Sequence, residues 1–333
     1  MSLLFDSADP IISPALTPDD VGDERRRRAL RDHRRPIEIG LVNNMGDAAL
    51  RATERQFARL LRDGAGERRV RLHCFALRSI PRSATARHRI DSLYSDIGDL
   101  GRVPLDGLIV TGAEPRTSAL RDEPYWDEFR RLTDWAEANT RATIWSCLAA
   151  HAAVLHLDGI ERRRLPWKCS GVYAAERLSD DPMLAGLPTT LRVSHSRLNG
   201  LDADELCDAG YDVLTRAEGA GVDVFTRRDG SRMVFFQGHP EYDATTLQRE
   251  FLRDLGRYLA GERDDCPAPP ENYFRAEIEA RLAAFCDRAR IGRRPDMIAE
   301  LPSLALRPGL AATLEASAAA LFRNWLSVIA AEI

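Results

Sequence analysis

Three side chains in this sequence have the types and spacing for nucleophilic catalysis: Cys147, His239 and Glu241. Cys147 follows the apolar run Ala142–Ser146, expected to be a strand, and directly precedes residues 148–157, expected to be a helix. A cysteine on such a turn sits near free N–H groups at a helix N-terminus. The helix dipole favours a thiolate there, and the free N–H groups can hold an oxyanion. The same placement suits a buried structural cysteine, and position alone does not choose between the two. A nucleophile needs a base. His239 and Glu241 lie in Gln237-Gly238-His239-Pro240-Glu241-Tyr242-Asp243, directly after an expected strand at 233–237. That strand carries both to the same end of the sheet as Cys147. The His-x-Glu spacing lets the carboxylate reach round and orient the imidazole, giving a Cys–His–Glu constellation. The other histidines rank lower. His151, one helical turn after Cys147, reads as a helix-packing residue, and His73, His88 and His156 have no evident partner. No His, Asp or Glu group has metal-ligand spacing, and Gly112 stands alone after its strand, so no phosphate-binding glycine loop is read.

The elements that must position these residues alternate. Ile37–Val42 reads as a buried strand, 48–63 as a helix with Leu50, Phe57, Leu60 and Leu61 on one face, and 70–77 as the next strand. Strand 105–110, helix 125–139 and strand Ala142–Ser146 follow. Strands alternating with helices imply an α/β fold with a mainly parallel sheet covered on both faces. Short strands are expected at 211–216, 222–227 and 233–237, with a hairpin turn at Arg228-Asp229-Gly230, then a helix capped by Asp243 and ending near Gly261. Cys266-Pro267-Ala268-Pro269-Pro270 is a breaker. The expected organisation is a loose N-terminal extension at 1–35, an α/β domain at 36–262 and a helical C-terminal extension at 263–333. Ligands of open α/β sheets collect beyond the carboxyl ends of the strands, which points to the residues after Val110, Ile144 and Phe236.

Composition narrows the class. The 333 residues are 44% hydrophobic and 29% charged, with net charge -4, which fits a globular domain and gives no basic field for nucleic acid. The arginine run at 161–164 reads as a solvated patch. No stretch approaches the roughly 20 apolar residues needed to span a bilayer, and 1–10 lacks a secretory pattern. Six scattered cysteines without CxxC pairs read as reduced thiols, so the expectation is a cytoplasmic protein with no zinc site and no membrane partner. Of the 47 Lys and Arg residues only Lys168 is lysine, which raises the question whether that position needs an ammonium.

A set of motifs then adds a resemblance. Asp106-Gly107-Leu108-Ile109-Val110-Thr111-Gly112-Ala113, Tyr125-Trp126, Trp145-Ser146-Cys147, Ser170-Gly171-Val172-Tyr173, His195-Ser196-Arg197, Gly238-His239-Pro240-Glu241-Tyr242-Asp243 and Asn272-Tyr273-Phe274 occur in that order. From about Ile37 to Phe274, with Asn324-Trp325 further on, the chain resembles the homoserine O-acyltransferase (homoserine transsuccinylase) family. The resemblance implies a flavodoxin-like fold of the class I glutamine amidotransferase type. It implies acyl transfer from acyl-CoA to the homoserine hydroxyl through an acyl-cysteine, on the way to methionine, with no cofactor beyond the acyl-CoA co-substrate. It also implies a homodimer. Cys147 then matches the nucleophile, His239 the base and Glu241 its orienting partner. Arg253 matches the arginine that grips the amino-acid carboxylate, while Lys168 and Ser196 match residues lining the acceptor pocket.

Two departures stand out. The family carries a Leu-Met-Pro-Lys-Lys segment after its first strand, with a lysine near the acyl site. Here Asn43-Asn44-Met45-Gly46-Asp47-Ala48-Ala49-Leu50 is two residues longer and has none, which shifts the oxyanion role towards backbone N–H groups. At the position that helps set acyl size, Arg116 replaces the usual Gly or Glu. A guanidinium can bind the distal carboxylate of a succinyl group, which favours succinyl-CoA over acetyl-CoA. Acetyl transfer, or serine as acceptor, is the alternative. A glutaminase or amidotransferase uses the same residue set, but the turn Trp145-Ser146-Cys147-Leu148-Ala149 lacks that class's flanking glycines. A binding module on an inactive scaffold ranks last.

Overall fold

The apolar runs at the centre of the sheet become strands because each is covered on both sides. In the computed structural model, which describes residues 2–5 and 35–333, β1 (Ser2–Phe5), β2 (Ile37–Val42), β3 (Val70–Phe75), β4 (Gly107–Val110) and β5 (Ala142–Ser146) belong to one sheet. Every residue of β2, β4 and β5 is buried, the mark of strands with no solvent face. The intervening helices are α1 (Leu50–Ala65), α2 (Ala84–Leu93), α3 (Trp126–Asn139) and α4 (Leu148–Asp158).

The second half brings β6 (Arg163–Arg177), β7 (Thr190–Gly200), α5 (Ala203–Asp208), β8 (Asp212–Val213), β9 (Thr215–Ala217), β10 (Gly221–Val222), β11 (Val224–Asp229) and β12 (Ser231–Phe236). After them come α6 (Thr246–Leu259), α7 (Ala276–Ile291) and α8 (Leu310–Ala331). The main sheet runs β1-β3-β2-β4-β5-β12-β11-β8; its centre, β3 to β12, is parallel, and β1, β11 and β8 pair antiparallel. A second, antiparallel sheet runs β10-β9-β6-β7. The expected mainly parallel α/β sheet is therefore present.

Two hydrophobic clusters lie against the main sheet. One joins Phe75, Val110 and Trp145 to α3 and α4. The other joins Ile39, Leu41 and Ile144 to α1 and α8 through Phe57, Leu61, Phe322, Trp325 and Ile329. The C-terminal helix thus seals the sheet. A Cβ on Gly64 of α1 would lie 2.8 Å from Arg323 N, so the absent side chain permits the two backbones to touch. Asn324 donates to Met183 O and Ala185 O, both at 2.9 Å, and fixes the register of α8. Truncating a side chain such as the fully buried Trp325 costs about 3–5 kcal/mol in a packed core.

Several elements differ from expectation. The hairpin β6–β7 was not expected, because charged residues interrupt its apolar alternation. The strand expected at 211–216 is split between the two sheets at Leu214. The helix after the His-x-Glu turn starts at Thr246, since Asp243 Oδ1 accepts from Thr245 N and Thr246 Oγ1, both at 2.9 Å, in a turn before it. Of the segment 1–35, all but residues 2–5 and Arg35 lie outside the described residues. Among the described residues no helix is long and apolar enough to cross a membrane.

Candidate active site

The end of β5 delivers Cys147 in a conformation that non-glycine residues rarely take, φ 53° and ψ -110°. Such backbone strain, about 1–3 kcal/mol, clusters at functional turns. The turn is over-determined by its neighbours. Cys147 N donates to Phe236 O at 2.7 Å, and Cys147 O accepts from Ala150 N and His151 N. Leu148, first residue of α4, has no intrahelical acceptor for its N–H. A Cβ on Gly112 would lie 3.1 Å from Leu148 N, so the backbone after β4 passes close to this donor.

His239 and Glu241 follow β12, the parallel neighbour of β5. His239 Nδ1 and Glu241 Oε1 are 2.7 Å apart, and both residues are buried. Glu241 Oε1 also lies 3.5 Å from Ser146 Oγ, beside the nucleophile turn. Burial disfavours the charged imidazole, but Glu241 and the adjacent Cys147 sulfur outweigh it and hold His239 well above its ordinary value. With Nδ1 engaged, Nε2 is the nitrogen available to the sulfur or a substrate.

Tyr242, which the sequence reading left without a role, joins this trio to a second group. Its ring stacks on His239 with centroids 4.1 Å apart, and its hydroxyl donates to Glu250 Oε1 at 2.7 Å. Glu250 Oε2 accepts from Ser196 Oγ and lies 4.0 Å from Lys168 Nζ. One helical turn along α6, Asp254 takes Lys168 Nζ at 3.3 Å and the Arg253 Nε and NH2 groups at 3.0 and 2.9 Å. Burial would raise the Asp254 carboxyl, but Lys168 and Arg253 more than offset it and hold it low. Lys168, Ser196 and Arg253 are therefore gathered by two carboxylates of α6 that lay outside the sequence-derived set. Arg253 keeps an exposed guanidinium.

The remaining candidates lie on the loop after β4 and just before β6. Arg116 donates its backbone N–H to Glu123 Oε1 at 2.7 Å and its side chain is exposed. Arg162, read from sequence as part of a solvated patch, is half-buried. Its NH2 group lies 3.4 Å from Ser118 O, and its charge interacts with Tyr125, Glu123 and Cys147. Its neighbours fit the solvated reading: Arg163 is exposed and pairs with Asp202 and Glu205. His151 is the packing residue expected, with Nε2 2.9 Å from Gln237 Oε1; burial pushes it down to about 3.

The lysine-free loop after β2 is pinned by other means. Asn44 N donates to Thr111 Oγ1 at 2.8 Å, and the buried Arg82 reaches Met45 O and Asn43 O at 2.8 and 3.1 Å. The loop's strand-end geometry is thus fixed by a guanidinium arriving from the segment before α2. Two distant motifs also meet here. A Cβ on Gly171 would lie 2.5 Å from Glu271 O, and its absence admits the bonds Val172 N to Glu271 O and Glu271 N to Ser170 O, both 2.9 Å. Tyr273 donates to Ala244 O and ties this segment to the loop after His239.

Comparison with known proteins identifies the family of the chain. A family model described as homoserine O-succinyltransferase matches residues 13–333. A homoserine O-succinyltransferase of Rhodopseudomonas palustris is 64% identical over 332 residues, covering 100% of both chains. One of Bradyrhizobium japonicum is 54% identical over 333 residues, covering 99% of each. One of Methylococcus capsulatus is 38% identical, covering 91% of this chain and 86% of its own. Among solved structures, a glutamine amidotransferase of Thermotoga maritima matches with TM-score 0.48 and 12% identity, over 89% of this chain and 99% of its own.

Proposed function

The chain belongs to the homoserine O-succinyltransferase family, and from that membership we propose how its residues carry a succinyl group from succinyl-CoA to the hydroxyl of homoserine. The protein is an acyltransferase. The observation that carries the residue assignment is the strained Cys147 turn beside the buried His239–Glu241 pair.

The reaction runs in two halves. In the first, the Cys147 thiolate attacks the thioester carbonyl, and the Leu148 N–H, with backbone N–H groups near Gly112, holds the oxyanion. The tetrahedral adduct collapses, the C–S bond to CoA breaks, and the His239 imidazolium gives its proton to the departing thiolate. In the second, neutral His239 takes the proton of the homoserine hydroxyl through Nε2 as that oxygen attacks the acyl-cysteine. The Cys147 thiolate leaves, and the imidazolium–thiolate pair is restored. Glu241 holds the ring and offsets its charge in both halves. Arg253 takes the acceptor carboxylate, with Lys168 and Ser196 shaping the same pocket around Glu250. Kinetics with homoserine test the assignment of substrates. Succinyl-CoA should exceed acetyl-CoA at least about tenfold in kcat/KM, the scale of one charged hydrogen-bonded pair. Equal values, or ammonia release from glutamine in place of CoA release, contradict it.

The succinyl carboxylate needs a cation, and two arginines are candidates. Arg162 is half-buried and its charge interacts with Cys147, whereas Arg116 is exposed. A partly desolvated guanidinium binds a carboxylate more strongly than a screened one. Arg162→Ala should raise KM for succinyl-CoA about tenfold or more while leaving acetyl-CoA turnover unchanged, and Arg116→Ala should do less. The reverse ranking in side-by-side kinetics would return the role to Arg116.

Acylation also changes the base. It converts the Cys147 sulfur to a neutral thioester, removing one of the two groups that hold His239 high. In the acyl-enzyme, where it must be neutral to accept a proton, His239 should therefore titrate lower than in the free enzyme. Single-turnover deacylation by homoserine should rise with pH through this lower ionisation. NMR titration of the free enzyme supplies the comparison, and an unchanged ionisation excludes a contribution from the sulfur.

A further inference from the structure

Asp223 links β10 to β11, where the chain passes from the four-stranded sheet to the eight-stranded one. Its N–H donates to Thr215 O at 3.0 Å and its C=O accepts from Gln237 N at 2.8 Å, so its backbone is tied to both sheets. Asp223 Oδ2 accepts from Thr215 Oγ1 at 3.0 Å. Asp223 Oδ1 faces His195 Nε2 at 3.4 Å, and both atoms are buried with no hydrogen-bond partner among the described residues. Two orphaned polar atoms aimed at each other are costly unless they share a proton.

The other ring nitrogen decides where that proton lies. Arg197 Nε donates to His195 Nδ1 at 3.4 Å, while its NH1 and NH2 groups go to Asn199 O, at 2.7 Å, and Ala220 O. A nitrogen that accepts from a guanidinium carries a lone pair, so the proton belongs on Nε2, directed at Asp223. Burial and the Arg197 charge both hold His195 well below its ordinary value, which keeps the ring neutral. Burial pushes Asp223 up to about 6, with Thr215, Arg197 and the Gly238 N–H opposing. The groups facing the pair are Arg197 from β7, Thr215 from β9, His239 from the catalytic turn and the ring of Tyr173 from β6, 5.7 Å from His195.

This chain ends on the catalytic turn. A Cβ on Gly238 would lie 2.5 Å from Asp223 Oδ1 and 3.1 Å from His195 Cε1, so the turn is seated directly on the two side chains. His239 N donates to Ser194 O at 2.8 Å, the residue before His195. We propose that Arg197, His195 and Asp223 form a buried positioning chain that fixes the Gly238–His239 turn and so the direction in which His239 presents Nε2. The proposal rests on His239 being the base, and it adds three residues that touch neither substrate nor sulfur.

Three variants of the full chain test it. His195→Leu removes both ring contacts, and misplacing a catalytic group by about 1 Å costs on the order of 100-fold. It should lower kcat on the order of 10–100-fold and leave KM for both substrates within about twofold. In His195→Gln the amide oxygen can accept from Arg197 and the NH2 can donate to Asp223, so kcat should recover to within a few-fold of the parent. His239→Ala, assayed alongside, reports on the base itself. Normal kcat in His195→Leu, with transfer lost in His239→Ala, overturns the positioning chain and leaves the base assignment standing. Equal losses in the Leu and Gln variants also overturn it. If His195→Leu does not fold, nitrogen NMR of the unaltered protein decides: a neutral His195 with its proton on Nε2 supports the chain, and a proton on Nδ1 overturns it.

Discussion

Replacing Cys147 with alanine is expected to abolish succinyl transfer, with kcat falling on the order of 10⁴-fold or more, the scale seen when a covalent nucleophile is removed. In the proposed route the sulfur is the atom on which the reaction divides into two steps, and no other nucleophile stands at this turn. The neighbouring Ser146 hydroxyl is buried and 3.5 Å from Glu241 Oε1, not at the head of α4. The variant should fold, because alanine removes only the sulfur and keeps the backbone bonds of Cys147 N and O. A Cβ remains at φ 53°, so the strain of the turn is unchanged. Steady-state release of CoA from succinyl-CoA in the presence of homoserine measures the effect. Transfer at a normal rate in the variant would exclude the acyl-cysteine route.

The second large effect is expected at the base. His239→Ala should lower kcat about 10³–10⁴-fold, since the proposed route uses His239 as acid in one half-reaction and base in the other. Glu241→Gln keeps the shape but removes the charge that raises His239 against the opposing effect of burial. About 10²-fold or more should be lost there, with the kcat ionisation moved to lower pH. Neither residue lies in the group around Glu250 and Asp254, so KM for homoserine should change little in both variants. A Glu241→Gln enzyme with unchanged kcat and an unchanged pH profile would show that the carboxylate only packs.

The sequence made the catalytic end of the fold legible for physical reasons. Ile37–Val42 and Ala142–Ser146 are short apolar runs with sharp borders, and strands buried on both faces leave that pattern. The position of Cys147 between the second run and a helix already implied a sharp turn at a helix N-terminus. Other features left no such trace. The β6–β7 hairpin mixes exposed arginines with buried Val172 and Ala175 and breaks over a register shift between Arg164 and Cys169, so neither period survives in its sequence. Tyr242, Glu250 and Asp254 matter through what they touch after folding, and a glutamate on a helix reads as solvated until its partners are known. Arg162 was hidden by its neighbours: three consecutive arginines look alike in sequence, yet the turn into β6 half-buries this one and leaves the next two exposed. The single lysine gained a concrete setting. Lys168 lies between Asp254 and Glu250, where a compact ammonium meets two carboxylates at 3.3 and 4.0 Å.

The central claim is that the succinyl group rests on Cys147 between donor and acceptor. Mass spectrometry of the protein mixed with succinyl-CoA alone tests it most directly. The mass of one succinyl group is expected on the peptide that contains Cys147, lost when homoserine is added and absent in the Cys147→Ala protein. An unmodified Cys147 peptide from enzyme that turns over normally, or a succinyl group carried on another residue and discharged by homoserine, would contradict it.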